Sequence, residues 1–413
     1  TELNDDPLAP LSRQGIDILA DYGDNTHISW LHKNDRYTEK LATPDVSVAD
    51  LIGDVDPIKA ASLKLPYSDE RVIHYGIIPR SHRQIFVINE LPDLQARIQV
   101  SLFNILQEGD IQIRGFKMRL PLDIQFVFTA NPEDYTNRGS IVTPLKDRIE
   151  SQILTHYPKT RDIGKKITLQ EANIKQEQKD KVKFHDLATD LIEQIAIEAR
   201  QSEFVDVKSG VSARLTISAF ENLLSAAERR TLINGESDTN VRIADFWGVM
   251  PSITGKIELV YEGEQEGSMI VAQNLVSKAI RSMFLTYFPD PEKFKKKKAR
   301  AGEKVVEDKP SPYQPITSWF GEGNQVDILT DLTNKDYENR LKSIPGLQTL
   351  IETYQPGLDF SAKIFLMEFA LHGLAEYSLI SKNRLETGIQ FKDLFSSMFS
   401  AKFDDEDPDM DFK

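Results

Sequence analysis

Two apolar runs that each end in a polar residue constrain this chain most. Ile85-Phe86-Val87-Ile88 closes on Asn89-Glu90, and Ile124 to Ala130 closes on Asn131-Pro132. Runs rich in β-branched and aromatic residues read as strands of a buried sheet. Open parallel sheets bind ligands beyond the carboxyl ends of their strands. An arginine follows in Pro144-Leu145-Lys146-Asp147-Arg148. Two strand tips bearing polar groups and then a positioned arginine are the parts a nucleotide-hydrolysing α/β site needs. One part is missing: no stretch of the sequence reads as a phosphate-cradling glycine loop.

Around these runs the pattern predicts an α/β region. The stretch Val46 to Ala61 reads as a short helix, a break at Gly53 and a second helix begun by Asp56-Pro57. A helix with Ile98, Leu102, Phe103, Ile105 and Leu106 on its apolar positions ends at Gly109. Ile111 to Met118 reads as a hairpin turning at Gly115, and Ser151–Thr155 as a further strand. The continuous run Ile124–Ala130 suits a sheet covered on both faces.

From Thr168 the chain turns helical. Helices are expected over Phe184–Arg200, from Thr216 to Arg229, at Ile243–Met250 and over Met269–Phe288. Lys295 to Pro315 is charged and proline-containing and reads as a linker. Further helices are expected at Tyr337–Ser343, Leu347–Tyr354, Ala362–Leu379 and Phe391–Phe399. The expected division is therefore an α/β core over 1–160, a helical lid with following helices over 161–294, a linker over 295–315, a helical domain over 316–400 and an acidic tail over 401–413.

Composition excludes several classes. With no cysteine among 413 residues, disulfides and thiolate metal sites are ruled out. There is no apolar run long enough for a membrane helix and no signal-like start, so a cytoplasmic location is expected. A net charge of −14 argues against broad nucleic-acid binding. The basic run Lys293 to Arg300 and the acidic run Asp404 to Asp411 read as solvated segments. The seven histidines show no pair at metal-ligand spacing.

Each candidate residue carries two readings. Glu90 is a base for an attacking water or a loop cap. Asn131 can donate to a phosphate oxygen and accept from that water, or simply form an Asn-Pro turn. Arg148 can complete a neighbouring subunit's site or pair with Asp147 or Glu150. Arg138 is a second candidate of the same kind. Arg214, just before a helix, can reach phosphate from a lid or serve as surface charge.

Taken together, these segments resemble the AAA+ ATPases of the magnesium chelatase and MoxR branch over about residues 40–235. Asp50 to Asp56 resembles that branch's insertion in its second helix, and Tyr75 through Leu94 the block carrying the Walker B acids. Thr129-Ala130-Asn131-Pro132-Glu133 resembles sensor 1, Leu145 to Arg148 the arginine-finger motif, and Val211 to Thr216 sensor 2. INELPDLQARIQV, ANPEDYTNRGSIVTPLKDRI and GKIELVYEGEQEG resemble a bacterial magnesium-chelatase-like subgroup.

The resemblance implies a P-loop-type three-layer α/β core, a helical lid and a C-terminal all-α domain. It implies ATP and Mg2+ as cofactors, with Glu90, Asn131 and Arg148 catalytic, Asn89, Arg214 and Arg138 binding nucleotide, and Asn89 with Glu90 facing the metal through water. It further implies a homo-oligomeric ring, commonly a hexamer, working with a partner that bears a von Willebrand A domain. Two departures stand out. Asn89 occupies the position of the first Walker B acid, and the Walker A loop would lie ahead of Thr1, so the core is expected to be incomplete at its N-terminus. This chain alone is expected to bind nucleotide poorly. The leading expectation is an ATP-driven motor acting on a protein. The alternatives are a catalytically degenerate assembly module and a transcription-associated ATPase.

Overall fold

Three parallel strands set the frame of the first part of the chain: β1 (Tyr37–Leu41), β2 (Gln84–Asn89) and β3 (Ile124–Phe128), with β2 in the centre. The register aligns their carboxyl ends, with Leu41 opposite Asn89 and Ile88 opposite Phe128. These are properties of a computed structural model that describes residues 1–111, 113, 116, 120–131, 140–294 and 310–394.

Alternation decides which face of the sheet packs. Phe86 and Ile88 point into the core, where the Phe126 ring meets Phe86 edge-on at 5.9 Å between centroids. The other face is only partly covered. Ile85 is 45% and Val127 42% exposed, so full cover on both faces holds at Val87 in the centre and not on the outer positions. The run was apolar enough for either arrangement, and neighbours distant in sequence decided between them.

Local signals elsewhere act as their chemistry demands. Helix Val48–Leu51 precedes Gly53, and Pro57–Leu63 is capped by the Asp56 carboxylate accepting from Ile58 N at 2.8 Å and Lys59 N at 3.1 Å. Gly53 holds φ +121°, a conformation side chains resist, and starts a small antiparallel ribbon with Ile73–Tyr75. The helix expected through Ile98 and Leu106 is two short ones, α1 (Ala96–Ser101) and α2 (Phe103–Glu108), ending at Gly109 with φ 65°. Of the expected hairpin, the pairing of Asp110–Ile111 with Leu120–Pro121 is present, and its turn lies outside the described residues. Helix α3 (Thr143–Lys146) follows. Ser151–Thr155 is irregular rather than a strand, with Ile153 90% exposed and no pairing among the described residues.

The chain divides into two compact units, Thr1–Thr155 and His156–Lys413. In the second, α4 (Asp186–Gln201), α5 (Arg214–Asn234), α6 (Ser268–Tyr287) and α7 (Phe360–Glu376) carry most of the core. The segments expected as lid and as C-terminal domain both lie in this unit, and one cluster of buried residues runs from Val182 to Phe391. The C-terminal part is not wholly helical. It holds an antiparallel sheet of β4 (Val326–Leu329), β5 (Ser381–Leu385) and β6 (Gly388–Lys392), with β6 central. Part of the helix expected at Phe391–Phe399 is thus strand, because Phe391 is drawn to the core opposite Val326. The linker residues 295–309 and the acidic tail lie outside the described residues.

Two of the buried charged groups in this unit are well satisfied, as burial requires. Arg230, 2% exposed, grips Asp245 with two hydrogen bonds of 3.2 and 2.9 Å. Glu368 is fully buried and accepts from Ile243 N, Ala244 N and the Tyr337 hydroxyl, the first two capping the 3-10 helix Ile243–Val249. Burial raises the Tyr337 hydroxyl well above its ordinary pKa. Among the described residues, no helix is long and apolar enough to cross a membrane.

Candidate functional site

At the carboxyl end of β2 the backbone turns sharply, and Glu90 takes φ 55°, the left-handed region that non-glycine residues avoid. Such a residue costs about 1–2 kcal/mol and persists only where its surroundings fix it. Thr129, just past β3, does the fixing. Its N–H donates to Ile88 O at 3.0 Å, its carbonyl accepts from Leu91 N at 2.9 Å and its hydroxyl accepts from Glu90 N at 3.1 Å. The same hydroxyl donates to Asn89 Oδ1 at 3.1 Å. One side chain therefore locks the two strand tips together.

That lock leaves the Glu90 carboxylate half-exposed, with no hydrogen bond or ion pair among the described residues. An unengaged acid on a strained, rigid turn is placed to take a proton from a water or to polarise it. As a loop cap it would be bonded to backbone N–H groups, and among the described residues it makes no such bond. Asn131, two residues beyond Thr129, is exposed at the end of the same locked segment.

Asn89 has both ends of its amide occupied: Oδ1 accepts from Thr129, and Nδ2 donates to the Glu39 carboxylate on β1. A neutral side chain so engaged is a weak partner for a hydrated cation, which takes charged oxygens first. Among the described residues no three His, Asp or Glu side chains are grouped to hold a metal ion. Of the two adjacent tip residues, Glu90 is the one that carries a charge, and among the described residues it has no partner.

Arg148 is tied to α2. Its guanidinium donates to Gln107 Oε1 at 3.1 and 2.8 Å and to Pro144 O at 2.6 Å, and it lies over the Phe103 ring at 4.9 Å. It remains partly accessible. The segment leading to it is pinned by Gln99, which is 1% exposed; it donates to Leu94 O and Ser140 O and accepts from Val142 N at 2.9 Å. Arg138 lies outside the described residues. Arg214 opens α5 in the second unit, exposed, with its N–H donating to Ser212 Oγ at 3.1 Å.

The structure thus brings Asn89, Glu90 and the strand end before Asn131 together, and places Arg148 on its own support. Sequence reasoning missed three supporting residues. Thr129 sat in plain view within a recognised segment. Gln99 carried a faint signal, a polar residue beside Ile98 on the inward side of a helix. Glu39 carried none, because only the strand register, which sets it opposite Val87 on the same face, brings its side chain within reach of Asn89. A cavity of about 540 Å³ in the same unit is lined by Lys40, Asp50, Asp54, His74 and Arg80 among others; Glu90, Asn131 and Arg148 do not line it.

No protein-family model matches this chain, and no curated protein matches it. Among solved structures it is similar to a protein of Cytophaga hutchinsonii described as a candidate ATPase, at 18% identity over 59% of this chain and 77% of that chain, with a TM-score of 0.25. NtrX from Brucella abortus is similar at 16% identity over 50% of this chain and 43% of that one, with a TM-score of 0.30. A chain of the magnesium chelatase BchI–BchD complex is similar at 15% identity over 63% and 80%, with a TM-score of 0.28. These overlaps are partial, and the functional reading rests on the residues of the chain itself.

Proposed function

We propose that the chain is the core of a ring-forming AAA+ ATPase of the magnesium chelatase and MoxR type, coupling ATP hydrolysis to the remodelling or activation of a protein partner. The observation that carries this reading is the unengaged Glu90 carboxylate, held on a strained strand end that Thr129 bonds to the next strand end. Bound ATP with Mg2+ would supply the phosphoryl group and its charge neutralisation, with Asn89 and Glu90 facing the ion through water. Glu90 accepts the proton of the attacking water, and Asn131 donates its amide to a phosphoryl oxygen. Arg148 stabilises charge at a neighbouring protomer's nucleotide, with Arg138 as a second such group, and Arg214 reports closure from the second unit. The domain roles of core, lid and C-terminal part, a hexameric ring and a von Willebrand A partner belong to the same proposal.

The test uses the full-length gene product. Steady-state ATP turnover should fall about a hundredfold or more in Glu90→Gln, as expected on losing a general base. It should fall about a thousandfold in Arg148→Ala, as for an arginine acting across an interface. Wild-type turnover in both variants would end the proposal.

The engagement of Asn89 by Glu39 and Thr129 favours a second reading, a catalytically degenerate subunit retained for assembly. Micromolar binding of a fluorescent ATP analogue together with measurable turnover contradicts it. Absence of both supports it.

A further inference from the structure

The second unit contains a cavity of about 270 Å³ between the 3-10 helix Ile243–Val249, α6 and the antiparallel sheet. Phe246, Trp247, Met250 and Val276 make an apolar wall. The remaining lining includes Gln273, Asn274, Ser277, Lys382, Asn383 and Arg384, and no Asp or Glu lines the cavity although the whole chain carries a net charge of −14.

Its polar groups are largely unused. The Arg384 guanidinium lies over the Trp247 ring at 4.4 Å and makes no hydrogen bond or ion pair among the described residues. The side-chain amides of Gln273, Asn274 and Asn383 likewise make no hydrogen bond among the described residues. His372 is 4% exposed, and its Nε2 has no hydrogen-bond partner among the described residues; the Glu368 Oε1 atom stands 3.9 Å away, beyond bonding distance. Lys382 differs, since its amino group is held by Glu376 and by Ser277 Oγ. Lone surface amides and arginines are ordinary. Here they line one apolar-walled cavity together with the buried His372 ring; Arg384 and Asn274 are exposed, so the cost of about 1–3 kcal/mol for a buried polar atom without a partner falls on His372 Nε2 alone.

We propose that this cavity binds a small aromatic carboxylate. The ring would lie against the wall of Phe246, Met250 and Val276, and the carboxylate would meet the fork of Arg384, whose face is already occupied by Trp247 and whose N–H edge is free. One unneutralised cation matches one negative charge. The space is just below that of drug-sized clefts, which begin at about 300 Å³, and so suits a fused ring with a short acid arm. The site lies within the second unit and is independent of the nucleotide reading.

Isothermal titration of the full chain with 2-naphthoate and with its neutral isostere 2-naphthamide tests this. The acid should bind saturably at one site per chain, about tenfold more tightly than the amide, as a charge-assisted hydrogen bond provides. Arg384→Gln should bring the acid down to the level of the amide without affecting the amide itself. Asn274→Trp, which places bulk in the mouth from an exposed position, should abolish binding of both while the far-ultraviolet spectrum is retained. No saturable binding of the acid, equal affinity for acid and amide, or unchanged acid affinity in Arg384→Gln would each overturn the proposal.

Discussion

The side-chain amide of Asn89 donates to the carboxylate of Glu39 on the neighbouring strand, so the neutral residue at a position where the resembled family carries an acid has a local electrostatic reason. An aspartate there would set two carboxylates side by side. Asn89→Asp is expected to lower unfolding stability by about 1 kcal/mol, and Glu39→Gln in that background to restore it, the scale of coupling usual for contacting residues. A denaturation double-mutant cycle measures this. Additive effects of the two changes would show that the pair is not coupled.

Thr129 is the next place to look. Thr129→Val keeps the shape but removes the hydroxyl that bonds Glu90 N and Asn89 Oδ1. Stability should drop by about 1–3 kcal/mol, the cost of unmet polar groups. If Glu90 acts as the proposed base, kcat for ATP should fall more than KM rises, because the acid would lose its position. A pure rise in KM would count against a positioning role.

Gln99 offers a test of the arginine segment. Gln99→Leu fills the same buried space but leaves Ser140 O, Leu94 O and Val142 N without this partner. A loss of about 1–3 kcal/mol is expected. If Arg148 acts across an interface, turnover should also become more dependent on protein concentration. Arg148→Lys should not rescue turnover, because an ammonium cannot reproduce the paired bonds to Gln107.

These three sites illustrate what the sequence disclosed. Strand β2 runs Gln84–Asn89 as its residues imply, and the Gly109 stop and the Asp56 cap fall where their chemistry demands. Those features are local. Glu39 beside Asn89 depends on a register between strands separated by some forty-five residues, which no local pattern encodes. Gln99 is polar on the inward side of a helix, a signal too faint to show that its two-sided amide is what the neighbouring backbone needs. Ser151–Thr155 has strand composition but, among the described residues, no neighbour to pair with, so composition misled. The β5–β6 hairpin turns on Glu386-Thr387, with glycine only after them at Gly388 and not at the central positions where it announces a tight hairpin.

Stability against pH should carry the mark of Glu193. Its carboxylate, 4% exposed, accepts from the Thr168 hydroxyl at 2.6 Å, and burial raises its pKa above the ordinary value. The folded chain therefore keeps this proton to a higher pH than the unfolded chain does. Its contribution is fully present below the ordinary carboxylate range and declines as pH rises through the raised value. Glu193→Gln should melt at a higher temperature relative to wild type at pH 7.5 than it does at about pH 4.5. A difference independent of pH would show that the group does not titrate on folding.

The single hydroxyl of Thr129 has a mechanical corollary. Because it bonds both the Glu90 N–H and the Asn89 side chain, a displacement of the segment ending at Asn131 would strain both bonds at the neighbouring tip. Contact with a ligand at one point would be relayed to the other as displacement of main chain, and the acid and the amide would behave as two teeth of one gear.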